Sequence, residues 1–338
     1  MKKIASVLAF LVPFIRLCAN SIAYVTDYST DQVSIVDLTT KATIGYVNNS
    51  YFSIDNPVNI HFKADGTKAY LVTDVSNSIF VIDTATNTVI NQQCGCSRPF
   101  NAPNIMRITP DGSKAYVSNE GGNNVSIIDV ANDAIIGYVN SGSYPFNLPI
   151  GIDFTKDGTK AYVASYSGNT VSIINATTNT VTGYVNSGSY SFNSPVYVHY
   201  IGSSSTKAYV DNLNSNQVLI IDTATDTVVG AVDDSSYPFS YPGFIATTSD
   251  FSKALVANLG SNMISVVDIA SGTVTGYISG TFNGPQKMAI SSDNTTAYVV
   301  NQGNNTISIV DMATLRQTGT IDDSAYPLGA PYAIALHP

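Results

Sequence analysis

The residues that could do acid–base or ligand-binding chemistry are few, and most fall at one repeated position. The chain has 338 residues, of which 12% are charged and 3 are histidines. Prolines recur about every 46 residues, and the fourth residue after each proline shares one place in the repeat. Those positions hold His61, Arg107, Asp153, His199, Ala246, Ala289 and Ala335. Imidazole, guanidinium and carboxylate groups gathered there would suit a small polar or anionic ligand.

Three more candidates stand two residues earlier in the repeat: Asn59, Tyr197 and Lys287. Side chains two residues apart on a strand share a face, so we expect them to line the same channel. In the binding interpretation Arg107 is the ion-pair partner of a ligand, and the two histidines are donors or metal ligands. The alternative is a solvated channel in which Arg107 and Asp153 only neutralise each other.

Catalytic signatures are missing from the sequence. No G-x-S-x-G, H-E-x-x-H, P-loop or dinucleotide fingerprint occurs, and Glu120 is the single glutamate. A set of aspartates follows the third strand of most repeats, where a carboxylate commonly caps a turn. They are Asp37, Asp83, Asp129, Asp222, Asp268 and Asp311. We predict no catalytic residue, no metal site and no cofactor.

The elements that position these residues are short β-strands. Residues 149–185 contain four runs rich in Val, Ile, Tyr, Phe and Thr, separated by Gly-, Asn- and Asp-containing turns. This pattern predicts a four-stranded antiparallel meander, which must stack on copies of itself to bury its faces. The second strand recurs at Ala23, Ala69, Ala115, Ala161, Ala208, Ala254 and Ala297. The opening prolines Pro57, Pro103, Pro149, Pro195, Pro242, Pro285 and Pro331 give the same count of seven.

The two ends of the chain complement each other. The repeats begin at a second strand and finish with a first strand, so the last strand can complete the first blade and close a ring. The sequence therefore predicts an all-β fold, a seven-bladed β-propeller with four-stranded blades. A parallel β-helix is the rival, but its coils have shorter periods.

Residues 1–19 have the pattern of a secretory signal peptide. Lys2 and Lys3 precede an apolar run at 4–15, and Ala19 is a small residue at the expected cleavage site. We expect residues 20–338 to form one exported domain, and lipidation at Cys18 is an alternative to plain cleavage of the leader. Loss of Lys2, Lys3 and Arg16 takes the formal net charge from −9 to −12. An acidic chain is disfavoured as a nucleic-acid binder, since that binding depends on Lys and Arg.

Two features of the connections between blades each allow two interpretations. Cys94 and Cys96 form a lone Cys-Gly-Cys, which is a small redox or metal clip in one interpretation and a local disulfide or free thiols in the other. Most connections carry a Tyr-Pro-Phe-like motif. Examples begin at Tyr144, Tyr190, Tyr237 and Tyr326. Recurrence in nearly every repeat favours structural packing over a partner-binding belt.

The second and third strands resemble those of the YVTN family of propeller repeats. The resemblance rests on segments such as those beginning at Tyr24, Tyr116 and Tyr298, which read YVTD, YVSN and YVVN, and on the third strand at 125–129, which reads VSIID. It implies a seven-bladed propeller exported to the periplasm, envelope or cell surface. The resemblance supplies no catalytic motif. Ser165 and Leu255 depart from the pattern.

We therefore expect an exported scaffold that is not an enzyme and that holds a small polar ligand or an envelope protein at its loop rim or central channel, with the chain itself monomeric. The alternative is a propeller-type lactonase or another metal-assisted hydrolase, with Asp153 and the two histidines supplying the chemistry. Stoichiometric bound metal would favour the enzyme.

Overall fold

The chain forms a ring of β-sheets. The computed structural model describes residues 21–93, 100–202, 206–321 and 325–338, and within them lie 28 β-strands and one short 3-10 turn at Leu213–Ser215. The strands form seven antiparallel sheets of four strands each. This confirms the predicted seven-bladed β-propeller. The proposed leader with Cys18, and the Cys94–Cys96 pair, lie outside the described residues.

Each blade begins at the centre of the ring with a strand that opens on a proline, where no ladder N–H is required. The innermost strands are β4 (Pro57–Phe62), β8 (Pro103–Ile108), β12 (Pro149–Phe154), β16 (Pro195–Ile201), β20 (Pro242–Thr247), β24 (Pro285–Ile290) and β28 (Pro331–Leu336). The second strands are β1 (Ile22–Asp27), β5 (Lys68–Thr73), β9 (Lys114–Asn119), β13 (Lys160–Ser165), β17 (Lys207–Asn212), β21 (Lys253–Asn258) and β25 (Thr296–Asn301).

The outer half of each blade contains a buried third strand and a partly exposed fourth strand. The third strands are β2 (Gln32–Asp37), β6 (Ser78–Asp83), β10 (Asn124–Asp129), β14 (Thr170–Asn175), β18 (Gln217–Asp222), β22 (Met263–Asp268) and β26 (Thr306–Asp311). The fourth strands are β3 (Ala42–Tyr46), β7 (Thr88–Gln93), β11 (Ala134–Tyr138), β15 (Thr180–Tyr184), β19 (Thr227–Ala231), β23 (Thr273–Tyr277) and β27 (Arg316–Ile321). The core lies between adjacent blades, where apolar residues of neighbouring sheets interdigitate.

The ring closes without a covalent link. Strand β28 pairs antiparallel with β1 and packs between β24 and β4, so it is the innermost strand of the first blade. The buried Thr26 Oγ1 accepts the Ala333 N–H at 2.9 Å, and Asp27 Oδ1 accepts the Gly329 N–H at 3.2 Å. The predicted closure by the carboxyl-terminal strand is confirmed.

A repeated contact, which we call the hairpin clamp, joins every blade to the next. The turn between the second and third strands contains an Asn, or Asp31 in the first blade, with positive φ. Its side-chain oxygen accepts the N–H of the residue that precedes the next opening proline. The pairs are Asp31 with Asn56, Asn77 with Ala102, Asn123 with Leu148, Asn169 with Ser194, Asn216 with Tyr241, Asn262 with Gly284, and Asn305 with Ala330.

The predicted turn-capping aspartates are the last residues of their third strands, and they do cap turns. Asp37 Oδ1 accepts the Thr39 N–H at 2.8 Å, and Asp311 Oδ1 accepts the Thr314 N–H at 2.7 Å. The other four make the same kind of bond. These bonds lower the pKa of the Asp311 carboxyl, because they favour its charged form.

The aromatic motif of the connections packs against neighbouring blades. Tyr144 contacts Tyr184 edge to face with ring centroids 5.3 Å apart, and the Tyr184 hydroxyl donates to the Pro145 carbonyl at 2.8 Å. Tyr237 and Tyr277 repeat this arrangement at 5.4 Å. Phe146 is 3% exposed. These contacts support the packing interpretation of the motif.

Candidate functional site

The innermost strands present their later residues to a central chamber, which we call the main chamber. Each innermost strand shifts register against the second strand directly after its proline, so a β-bulge precedes the lining residues in every blade. The main chamber has a volume of about 460 Å³. Its polar lining consists of Asn59, His61, Arg107, Asp153, His199, Thr247 and Lys287. Six of the seven predicted channel residues therefore meet here.

Asp153 and His199 form the one carboxylate–imidazole contact of the main chamber among the described residues. Asp153 Oδ2 lies 3.6 Å from His199 Nδ1 and accepts the Tyr200 N–H at 2.9 Å. His199 Nε2 lies 3.1 Å from Thr247 Oγ1. Burial lowers the pKa of His199, Asp153 opposes that shift, and the charge of Arg107 adds to it. The imidazole is therefore neutral at neutral pH.

The close approach of two innermost strands explains this pairing. A Cβ placed on Gly151 would lie 2.5 Å from the Val196 carbonyl oxygen and 2.6 Å from the Tyr197 Cα. Only glycine allows β12 and β16 to come this close. The carboxylate of Asp153 thereby reaches the Tyr200 N–H and the His199 ring of β16.

Arg107 has no ion-pair partner in the part of the chain that the structure describes. The only hydrogen bond of its guanidinium there runs from Nη1 to the Met106 carbonyl at 3.5 Å, which is long. The direct Arg107–Asp153 ion pair of the alternative is not found among the described residues, because the Asp153 carboxylate faces His199 and the Tyr200 N–H. The half-buried guanidinium keeps its donors for another group.

His61 is the neutral neighbour of Arg107 on β4. Burial, followed by the positive charge of Arg107, lowers the pKa of His61 to about 3. Asn59 Oδ1 accepts the Met106 N–H at 3.4 Å, so this predicted channel residue joins β4 to β8. A neutral imidazole and a guanidinium therefore lie on adjacent strands of the same wall.

Lys287 lies between the main chamber and a smaller cavity. The smaller cavity, which we call the proline-side chamber, has a volume of about 240 Å³ and lies near the beginnings of the innermost strands. Lys287 and Phe244 line both chambers. Tyr197, the seventh predicted residue, lines the proline-side chamber and not the main chamber, and its ring packs edge to face on Phe244 at 5.1 Å.

Several lining residues were not identified from the sequence. Thr247 is five residues after its proline, and Asn104 and Tyr332 are one residue after theirs. Asn104 Nδ2 donates to Glu120 Oε2 at 3.0 Å in the proline-side chamber. The bulge after each proline changes which residues face inward, and nothing in the repeat spacing marks it.

The main chamber continues into a groove of about 390 Å³ that shares Asp153, His199 and Thr247 and adds Lys156. A ligand larger than the chamber can therefore extend outward along one side of the ring. Across the described ranges no cluster of three or more His, Cys, Asp or Glu side chains is arranged to hold a metal ion. The same ranges contain no helix of the length and apolar character that spanning a bilayer demands.

Solved structures share the fold at low sequence identity. Hydrazine synthase from Kuenenia stuttgartiensis aligns with a TM-score of 0.71 and 18% identity over 87% of this chain and 93% of its own. A functionally unknown protein from Desulfotomaculum acetoxidans aligns with a TM-score of 0.75 and 17% identity, covering 94% of this chain and 99% of its own. Dihydro-heme d1 dehydrogenase NirN aligns at 0.68 and 11%, covering 95% of this chain and 76% of its own. At these identities the likeness concerns the fold alone.

No curated protein matches this chain in sequence. A family profile does match: the family described as Lactonase, 7-bladed beta-propeller, aligns with residues 17–200, which is more than half of the 338 residues. The matched segment includes the strands that carry His61, Arg107, Asp153 and His199. The chain therefore belongs to this lactonase family of seven-bladed β-propellers.

Proposed function

We propose that this protein is a binding scaffold whose main chamber holds a small anionic ligand. The observation that supports it is Arg107, a half-buried guanidinium with no carboxylate at ion-pair distance within the described residues. A guanidinium binds carboxylates and phosphates through paired N–H donors. The neutral imidazoles of His61 and His199 add donors that carry no competing charge.

Isothermal titration calorimetry with lactate, citrate and inorganic phosphate tests this proposal. Loss of a charge-assisted hydrogen bond costs about 1.5–3 kcal/mol, so Arg107→Gln should weaken binding roughly 10- to 100-fold. Arg316→Gln is the matched control, since Arg316 is exposed at the start of β27 and lies far from the chamber lining. Equal binding by the wild type and Arg107→Gln would contradict the proposal.

Hydrolysis of a cyclic ester is the second candidate function. The observation in its favour is the Asp153–His199 pair beside Arg107, in a chain that belongs to a family named for lactonases. Neutral His199 would take a proton from water through Nε2 as the oxygen adds to the lactone carbonyl. Arg107 would stabilise the oxyanion until the ring C–O bond breaks and the ring oxygen receives the proton.

A pH-stat assay with an aromatic lactone distinguishes the two functions. Catalysis requires that Asp153→Asn and His199→Gln each lower kcat by at least about tenfold, since a positioned base contributes roughly 100-fold or more. Elemental analysis of the same sample shows whether a metal accompanies the activity. Absence of acid release above the blank would leave binding as the function.

We also propose that the protein is exported and acts as a monomer in the periplasm or at the cell surface, with repeats of the YVTN kind. The signal-like residues 1–19 and the acidic, Tyr- and Asn-rich composition support this. An envelope protein held at the loop rim is the partner that this location would provide. Amino-terminal sequencing of protein from a fractionated cell tests export, and a mature start near Asn20 is expected.

A further inference from the structure

Lys287 is a buried lysine that the proposed function leaves unused. Its side chain extends from β24, the residue is 5% exposed, and Nζ donates a hydrogen bond to the Val58 carbonyl of β4 at 2.7 Å. Nζ lies 4.8 Å from the ring centre of Tyr332 and 5.9 Å from that of Tyr197. Among the described residues no carboxylate forms an ion pair with it.

The surroundings of Lys287 favour a neutral amine. Arg107 of β8 lines the main chamber with it, two tyrosine rings from β16 and β28 bury the nitrogen away from water, and Glu120, which also lines the proline-side chamber, makes no ion pair with it. Burial, followed by the positive charge of Arg107, lowers the pKa of Lys287 well below its usual range. A neutral amine that donates one N–H to Val58 retains a lone pair.

Lys287 is also accessible to small molecules, because it forms part of the lining of both chambers. A neutral lysine in a pocket, with a lone pair and a second cationic group beside it, has the arrangement used by amine nucleophiles. We propose that Lys287 is a nucleophile that forms an imine with a small carbonyl compound in the main chamber.

The chemical class is a 2-oxo acid, and this part of the inference rests on the proposed anion site. Arg107 would hold the carboxylate, which places the adjacent carbonyl carbon toward the lysine. The amine nitrogen attacks that carbon, the carbonyl oxygen takes the two protons that the nitrogen loses and leaves as water, and a carbon–nitrogen double bond remains. The step needs no oxidant or reductant.

The experiment traps this imine in the full-length protein. Pyruvate and sodium cyanoborohydride are added at pH 7, where hydride reduces the imine to a stable secondary amine, and peptide mass spectrometry locates the adduct. An exposed lysine is neutral at roughly one part in a few thousand at this pH. We expect Lys287 to be labelled at least about tenfold more than Lys207, which is exposed at the start of β17. Equal labelling of the two lysines would overturn the proposal.

Two further probes separate this inference from the proposed function. Lactate has the carboxylate without the carbonyl, and propanal has the carbonyl without the carboxylate. Arg107-dependent lactate binding without labelling of Lys287 by either carbonyl probe would refute the nucleophile and leave the anion site intact. Labelling by propanal without lactate binding would support the nucleophile and refute the 2-oxo acid. Lys287→Met, which is uncharged like the neutral amine and similar in length, should lose the adduct and keep the fold.

Discussion

At the scale of single residues, Gly151 explains why the sequence predicts which polar residues line the main chamber but not which of them contact each other. The repeat spacing places His61, Arg107, Asp153 and His199 at equivalent positions, and all four line the main chamber. Which of them contact each other depends on how closely β12 and β16 approach. They can approach closely because Gly151 has no side chain. The sequence therefore predicts the set of polar groups but not the contacts among them.

Asp211 allows a test of how much a buried carboxyl without a hydrogen-bond partner lowers the stability of the fold. It lies on β17, is 0% exposed, and neither of its carboxyl oxygens has a hydrogen-bond partner. Burial raises its pKa well above the usual range. The equivalent residues of other blades include Ala164 and Ala257, so an alanine fits this position.

We predict that Asp211→Ala stabilises the protein at neutral pH by about 1–3 kcal/mol, the cost of an unsatisfied buried polar group. A carboxyl whose pKa is raised by folding contributes most stability below its unfolded pKa of about 3.9 and loses that contribution as the pH rises. The advantage of the variant should therefore grow from pH 4 to pH 7 in urea unfolding. A constant difference between the two proteins over that range would contradict this account.

Hairpin clamps are the feature that matters at the scale of elements. The sequence predicts the strands and the turns because β-propensity, Gly and Asn mark them locally. It does not show that the turn asparagines bond to the next blade, since the partner N–H lies 22 or 25 residues away and belongs to another sheet. The sequence also does not predict the β-bulge after each proline, because the bulge is defined by the pairing of that strand with another.

Asn169→Ala should destabilise the ring more than Asn169→Gly. Asn169 has φ of +49°, and its Oδ1 accepts the Ser194 N–H at 2.7 Å. Both variants lose a hydrogen bond worth about 1 kcal/mol, and alanine adds roughly 1 kcal/mol of left-handed backbone strain that glycine avoids. Thermal unfolding of the two variants checks the order. Equal melting temperatures would show that the backbone conformation contributes nothing.

At the scale of the whole molecule, closure of the ring depends on β28, the last strand in chain order. The complementary ends predict this closure, and β28 does pair with β1. The chambers at the centre of the ring are a property of all seven innermost strands together, so their volumes could not be predicted from any single repeat.

Removal of residues 331–338 should therefore open the ring and lower the melting temperature by at least about 10 °C, because a whole strand of buried surface is lost. A synthetic peptide of residues 325–338 should bind the truncated chain and restore much of that loss. The matched control peptide carries Ala333→Pro and cannot donate the N–H that Thr26 Oγ1 accepts. Equal rescue by both peptides would mean that strand pairing does not drive closure.

The non-covalent pairing of β28 with β1 has a mechanical consequence. Residues at the outer ends of the two closing strands lie side by side, with the His337 N–H bonded to the Ile22 carbonyl at 2.8 Å and Ala23 paired with Leu336. A force that pulls His337 away from Ile22 loads the ladder one bond at a time and unzips it toward Asp27 and Pro331. We therefore expect the ring to open first at the β28–β1 pairing when it is placed under tension.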